Sequence, residues 1–203
     1  MSTLTLTVRP KLDDVATDLL FREAHTSYSF TDQPVSHEQL GEIYDLVRLA
    51  PTAMNSQPLR ITFVTTEAGK ARLLPHLAPG NRAKSASAPV VAILAADVDF
   101  HEHLPRNFPQ NPHAKDMFAD ANARANAARF NASIQAGYFI LAVRAVGLDA
   151  GPMGGVDTAG LDAEFHQGKT WRSFLAVNIG HAAHDRQHPR NPRLNADEAV
   201  VYV

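Results

Sequence analysis

Apolar positions along this chain switch between helical spacing and unbroken short runs, and the switches outline its elements. Residues 13–23 carry Val15, Leu19, Leu20 and Phe21 and read as a first helix. Ser36 and Gln39 form a capping box, in which Ser takes the residue-39 N–H and Gln reaches back to the Ser backbone. They open a helix whose Leu40, Ile43, Tyr44, Val47 and Ala50 share one face, stopped by Pro51. Residues 60–66 read as a strand, and 66–77 as a short helix capped by Thr66. The apolar run at 88–97 has strand length and predicts a strand buried on both faces.

Residues 100–118 mix His and Pro with polar residues and predict a mobile excursion with short helices near the active site. The longest element should span 120–146. Phe130, Ile134, Tyr138, Leu141 and Ala145 form one stripe, widened by Ala127, Ala136, Ile140 and Val143, so this helix is expected to be central and buried nearly all round. Gly147 suits its C-terminal cap. A glycine-rich loop at 147–157, a helix at 158–166 and a strand at 172–180 follow, with a polar tail from 181 to 203. Strands and helices mix without regular βαβ repeats, so the fold class is α+β, in a single domain over 1–203.

Totals narrow the possibilities. The 203 residues carry 19 Lys and Arg against 21 Asp and Glu, a net charge of −2, which favours neither nucleic acid nor an anionic membrane. There is no cysteine, which removes disulfides, thiolate metal sites and cysteine nucleophiles. No apolar run approaches a membrane span, and the first residues do not read as a signal peptide, so a cytoplasmic protein is expected.

Three segments hold more chemistry than their lengths require. At 51–58, Thr52, Asn55, Ser56 and Gln57 offer hydroxyl and amide groups that suit a planar heterocycle, or serve local turn bonds. At 147–157, four glycines allow close backbone approach to a ligand, or a helix cap and tight turn. In the tail, Arg186, Arg190 and Arg193 suit a phosphate, or form a solvated basic end. Neither a GxGxxG after a strand nor a Walker loop is present. Ten histidines raise a metal site, with His101 and His103 two apart and His181, His184 and His188 in the tail. No HExxH motif or carboxylate cluster supports it, and no metal is expected.

In order and spacing these segments resemble the nitroreductase superfamily of flavin mononucleotide (FMN) enzymes. Its Pro-Ser-x-x-Asn-x-Gln-Pro loop is matched by Pro51, Thr52, Ala53, Met54, Asn55, Ser56, Gln57 and Pro58. Its Gly-Leu and Pro-x-x-Gly-φ-Asp segments are matched by Gly147-Leu148 and by Pro152, Met153, Gly154, Gly155, Val156 and Asp157. Asn178-Ile179-Gly180 and Arg193-Leu194 complete the series, and the branch containing malonic semialdehyde reductase is the most similar. The usual basic opening motif is replaced by Ala24-His25-Thr26-Ser27-Tyr28-Ser29-Phe30, so more of the expected anion binding falls to the tail arginines.

The resemblance implies a mainly antiparallel central sheet flanked by helices, and a homodimer with the flavin at its interface. It implies hydride transfer from NADH or NADPH through flavin N5 to a small acceptor, an aldehyde such as malonic semialdehyde or a nitroaromatic or quinone, with ping-pong kinetics. The implied cofactor-binding residues are His25, Thr26, Pro51, Thr52, Ala53, Asn55, Gln57, Asn81, Lys84, Pro152, Met153, Gly154, Gly155, Arg190 and Arg193. Lys84 would stabilise the charge of the reduced flavin, a Gly154 or Gly155 N–H would bond N5, and Pro152 and Met153 would pack on one ring face. A non-catalytic flavin carrier or sensor is the competing reading.

Overall fold

A computed structural model describes residues 10–183 and 189–203. Its centre is a four-stranded sheet of β1 (Leu59–Val64), β2 (Val90–Asp97), β3 (Asp149–Met153) and β4 (Trp171–Gly180), in the order β1-β2-β4-β3 with every pairing antiparallel. All eight β2 residues are buried, because helices cover both faces. Alternation then divides its side chains. Ala92, Leu94 and Ala96 enter one core, while Val91 and Ile93 enter the other.

The first core lies under α2 (His37–Val47) and α6 (Ala121–Ala145). Ser36 and Gln39 cap α2 reciprocally, as their spacing predicts, and Leu40, Ile43 and Val47 are buried. Phe139 of α6 is fully buried and stacks on Phe63 at 6.3 Å. The second core gathers Leu73 from α3 (Glu67–Leu73) and Leu161 from α7 (Thr158–Phe165), with Leu77 and Phe30. Thr66 caps α3 through Gly69 N, as expected.

Two expectations need correction, and two elements gain detail. The long helix buries Ala128, Asn131, Ala132, Gln135, Ala136, Phe139, Ala142 and Val143 instead of the bulky stripe, and Phe130 and Tyr138 stay 67% and 43% exposed. A line of alanines lets α6 approach the sheet closely, and two of its inward positions are polar, so hydrophobic periodicity pointed to the wrong face. The glycine-rich segment is partly strand: residues 149–153 pair with β4, and Pro152, which has no N–H to give, is tolerated because β3 closes the sheet's edge. Asn81 and Lys84 lie on α4 (Pro79–Ser87), where Pro79 sits in the first turn that tolerates it. The first helix is α1 (Asp14–Thr17) continued by a π-helical turn, Asp18–Arg22, which ends with Glu23 N donating to Asp18 O.

Residues 100–118 do contain short helices, including α5 (Leu104–Asn107), and Phe100, Leu104 and Ala114 anchor them in the first core. Near the C-terminus, α8 (Ala196–Ala199) is a single capped turn.

Candidate functional site

The segment around Ser27 lies along the free side of β3. Ser27 N donates to Ala150 O at 3.1 Å, and a Cβ on Gly151 would come within 2.6 Å of Ser27 O. Thr31 N donates to His181 O at 2.8 Å and Ala183 N to Ser29 O at 3.1 Å, so the segment is held at both ends. This glycine is what lets the segment approach so closely.

That packing creates a cavity of about 280 Å³ whose polar lining includes His25, Thr26, Tyr28, Arg144, Arg190 and Arg193. Four of the expected site residues therefore meet there. Arg190 Nη2 also donates to Arg22 O at 2.6 Å and Ala24 O at 2.9 Å, closing off the carbonyl end of the π turn. Arg193 bonds carbonyls of its own turn, Asn191 O and Pro192 O. Arg144 was not anticipated, because a basic residue in the last turn of α6 reads as a helix-dipole partner. Burial lowers its pKa, Asp149 opposes that and Arg190 adds to it. Arg144 thus shares the cavity with Arg190 and Arg193, while Asp149 offsets part of that charge.

A second cluster adjoins Tyr28. Lys84 Nζ stands 5.1 Å from the Tyr28 ring centroid, and burial lowers its pKa. Among the described residues Lys84 has no carboxylate within ion-pair distance. One turn earlier on α4, Asn81 Nδ2 donates to Gly155 O at 3.1 Å, and Ala78 N donates to the same oxygen at 3.0 Å. The turn after β3 is thereby fixed against α4. Gly154 is exposed, and a Cβ there would meet nothing within 4 Å, so its backbone is open to a ligand.

Met153 does not take the expected place on a ring face. Only 4% exposed, it points into the second core, where its sulfur receives Ser85 Oγ at 3.5 Å and Asn178 Nδ2 at 3.8 Å. Strand alternation turns Met153 inward and leaves Pro152 half-buried. Asn178 Oδ1 is a buried acceptor without a partner among the described residues.

Residues 51–58 lie apart from both clusters. They feed β1 while Gly154 follows β3, three strands away, a lateral separation of roughly 14 Å at strand spacing. The loop is held from α6: Asn131 Oδ1 accepts Ala53 N at 2.8 Å and Gln135 Oε1 accepts Leu59 N at 3.0 Å. Thr52 Oγ1 accepts Gln57 N at 3.1 Å, Gln57 Nε2 donates to Asn55 Oδ1 at 2.7 Å, and Asn55 Nδ2 donates to Asn107 O at 2.8 Å. Much of the loop's hydrogen-bonding capacity thus maintains its own shape, including positive φ at Met54 (53°), Asn55 (50°) and Gln57 (44°). Pro51 and Ala53 are exposed, whereas Ser56 Oγ is buried without a partner among the described residues. Gln57 also lines a cavity of about 430 Å³ with Arg60, His103, Arg106 and Gln135.

Of the histidines raised for a metal, His101 Nε2 lies 3.5 Å from Glu102, and its Nδ1 is buried without a partner among the described residues. Arg186, His184 and His188 fall outside the described residues.

The protein is thus α+β, with an all-antiparallel sheet, and the arginine-lined cavity, Lys84 and the open turn at Gly154 lie toward its β3 edge. The nitroreductase family model matches residues 21–181, and the chain belongs to that family. A Streptomyces coelicolor protein carrying the provisional name NADH dehydrogenase/NAD(P)H nitroreductase is 53% identical over 195 residues, covering 96% of each chain. A structure from Exiguobacterium sibiricum, solved in complex with FMN, superposes with a TM-score of 0.82 at 20% identity, covering 97% of this chain and 100% of that one. Nitroreductase A of Vibrio parahaemolyticus gives 0.74 at 23% identity, over 92% of this chain and 76% of its own.

Proposed function

We propose that the protein is a cytoplasmic, homodimeric oxidoreductase that holds FMN and passes hydride from NADH or NADPH to a small acceptor. The observation that carries this reading is Lys84, a partly desolvated ammonium without a carboxylate partner among the described residues, on the same helix face as Asn81, which fixes Gly155. The donor set fits the cofactor: His25, Thr26, Arg144, Arg190 and Arg193 around one cavity suit its phosphate, and the open Gly154 backbone suits a flat ring. The name of the Streptomyces relative and the FMN in the Exiguobacterium complex support the same cofactor pair.

Bound FMN supplies reversible two-electron chemistry at N5. Lys84 places positive charge where the reduced form gains negative charge, and so favours that form. Gly154 or Gly155 offers an N–H without side-chain bulk. Pro152, half-buried at the end of β3, provides an apolar support, with Met153 assisting from the core beneath. Donor and acceptor use one pocket in turn, which gives ping-pong kinetics.

The separation of residues 51–58 from the β3 edge supports a dimer in which Pro51, Thr52, Ala53, Asn55 and Gln57 of one copy face the cofactor held by the other. The outward Phe130 and Tyr138 of α6 supply apolar surface for such a contact. No helix among the described residues is long and apolar enough to cross a membrane. The acceptor is a small aldehyde such as malonic semialdehyde, a nitroarene or a quinone. The test is a kcat/KM panel on flavin-reconstituted protein; NAD(P)H oxidation that no acceptor accelerates would leave a flavin carrier as the better account.

A further inference from the structure

Reduction of a carbonyl consumes a proton as well as a hydride, and none of the residues assigned above supplies one. We infer that His76 is the proton donor to the acceptor oxygen, an assignment that rests on the flavin reading given above. The residues from Pro75 to Ala78 run antiparallel to the turn after β3. Asp157 N donates to His76 O at 2.7 Å, Leu77 bridges to Val156, and Ala78 N donates to Gly155 O at 3.0 Å. His76 is therefore registered against the same turn whose open N–H groups are proposed to face flavin N5.

The ring is positioned as well as the backbone. His76 Nδ1 lies 3.8 Å from Asp157 Oδ2, and Gly160 leaves room for it, since a Cβ there would collide with both His76 Nδ1 and Asp157 Oδ2. Asp157 is itself held, its other oxygen accepting Gly160 N at 3.0 Å. The side chain of His76 is 23% exposed, so the ring is confined yet reachable. It lines an open crevice of about 410 Å³ with Pro75, Leu77, Ala78, Gly155, Val156 and Asp157. Gly155 thus belongs both to this crevice and to the cofactor turn. An acceptor seated over that turn has the imidazole on its flank.

The charged groups around His76 are Asp157 on the turn and Arg82 on α4, whose guanidinium donates to Leu77 O and Pro75 O. A carboxylate facing Nδ1 orients the ring and leaves Nε2 for the substrate. In the step assigned here, His76 gives its Nε2 proton to the carbonyl oxygen while hydride from the reduced cofactor reaches the carbonyl carbon. A C–H and an O–H bond form, the C–O π bond breaks, and an alcohol results. NAD(P)H restores the hydride and solvent restores the proton.

The test compares His76→Gln with the parent as holoprotein. FMN affinity, measured by fluorescence titration, and bleaching of the bound flavin by NAD(P)H should be unchanged, since neither needs this proton. Reoxidation of the pre-reduced protein by malonic semialdehyde should slow by about 10²–10⁴-fold, the range of general acid catalysis. Reoxidation by ferricyanide, which takes electrons without an O–H bond forming, should stay at the parental rate. Imidazole added to His76→Gly should restore part of the aldehyde rate. Equal loss with both oxidants, loss with neither, or a parent that reoxidises no faster with the aldehyde than in buffer overturns the assignment. A parent that binds no FMN overturns the flavin reading beneath it.

Discussion

Replacing Asn55 by Leu separates two tasks that the 51–58 loop could perform. The side-chain oxygen accepts Gln57 Nε2 at 2.7 Å and the nitrogen donates to Asn107 O at 2.8 Å, so Leu removes two bonds tying the loop to itself and to α5. Each is worth about 0.5–1.5 kcal/mol. The residue also sits at φ 50°, where Asn is tolerated and Leu costs roughly 1–2 kcal/mol. The sum is about 2–5 kcal/mol, or roughly 4–20 °C in Tm for a chain of this size. Asn55→Gly loses the same bonds without that backbone cost, and should melt above Asn55→Leu. The assay is thermal melting of FMN-free protein at one fixed concentration, paired with FMN titration. If Asn55→Leu melts like the parent but binds FMN much more weakly, the loop is not maintained by Asn55, and its amide belongs to the ligand instead.

Other outcomes follow from the same geometry. His166 is fully buried, with Nε2 3.0 Å from Thr62 Oγ1 and Nδ1 facing Asp162 and Ser173 Oγ, and burial lowers its pKa. Its contribution to stability is therefore complete above the unfolded value of about 6.5 and is lost as pH falls below that toward the lowered folded value. His166→Phe, though less stable at pH 7.5, should lose less stability between pH 7 and pH 5 than the parent in urea melts; equal losses would refute the assignment. Gly151→Ala should force the Ser27 segment off β3, costing about 1–3 kcal/mol and weakening FMN binding; unchanged titration and melting would contradict the close approach. Lys84→Ala should lower the midpoint potential of bound FMN more than it weakens binding of the oxidised form, and an unchanged potential would remove Lys84 from its role.

Elements marked by caps or sustained apolar runs were legible in the sequence. The Ser36–Gln39 box, the Thr66 cap and the wholly buried β2 lie within a residue or two of where their patterns put them. What failed shares one physical reason. β3 contains no β-branched residue and owes its pairing to β4, so local propensity could not reveal it. The α6 face was misassigned because alanines, with Asn131 and Gln135, take the interior, and their value lies in close approach and in bonds to Ala53 and Leu59. His25, Thr26, Arg190 and Arg193, singled out by the ordered motifs, line one cavity. Arg144 and His76 carried no motif, and only the folded chain places them.

The most direct measurement is anaerobic stopped-flow of the FMN-reconstituted protein mixed with NADH or NADPH. The account predicts one FMN per chain, released as FMN on denaturation, whose yellow absorbance bleaches with the reduced nucleotide and returns when an acceptor is added. A protein that retains no FMN after reconstitution, or one whose bound flavin stays oxidised under excess NADH and NADPH, would contradict it.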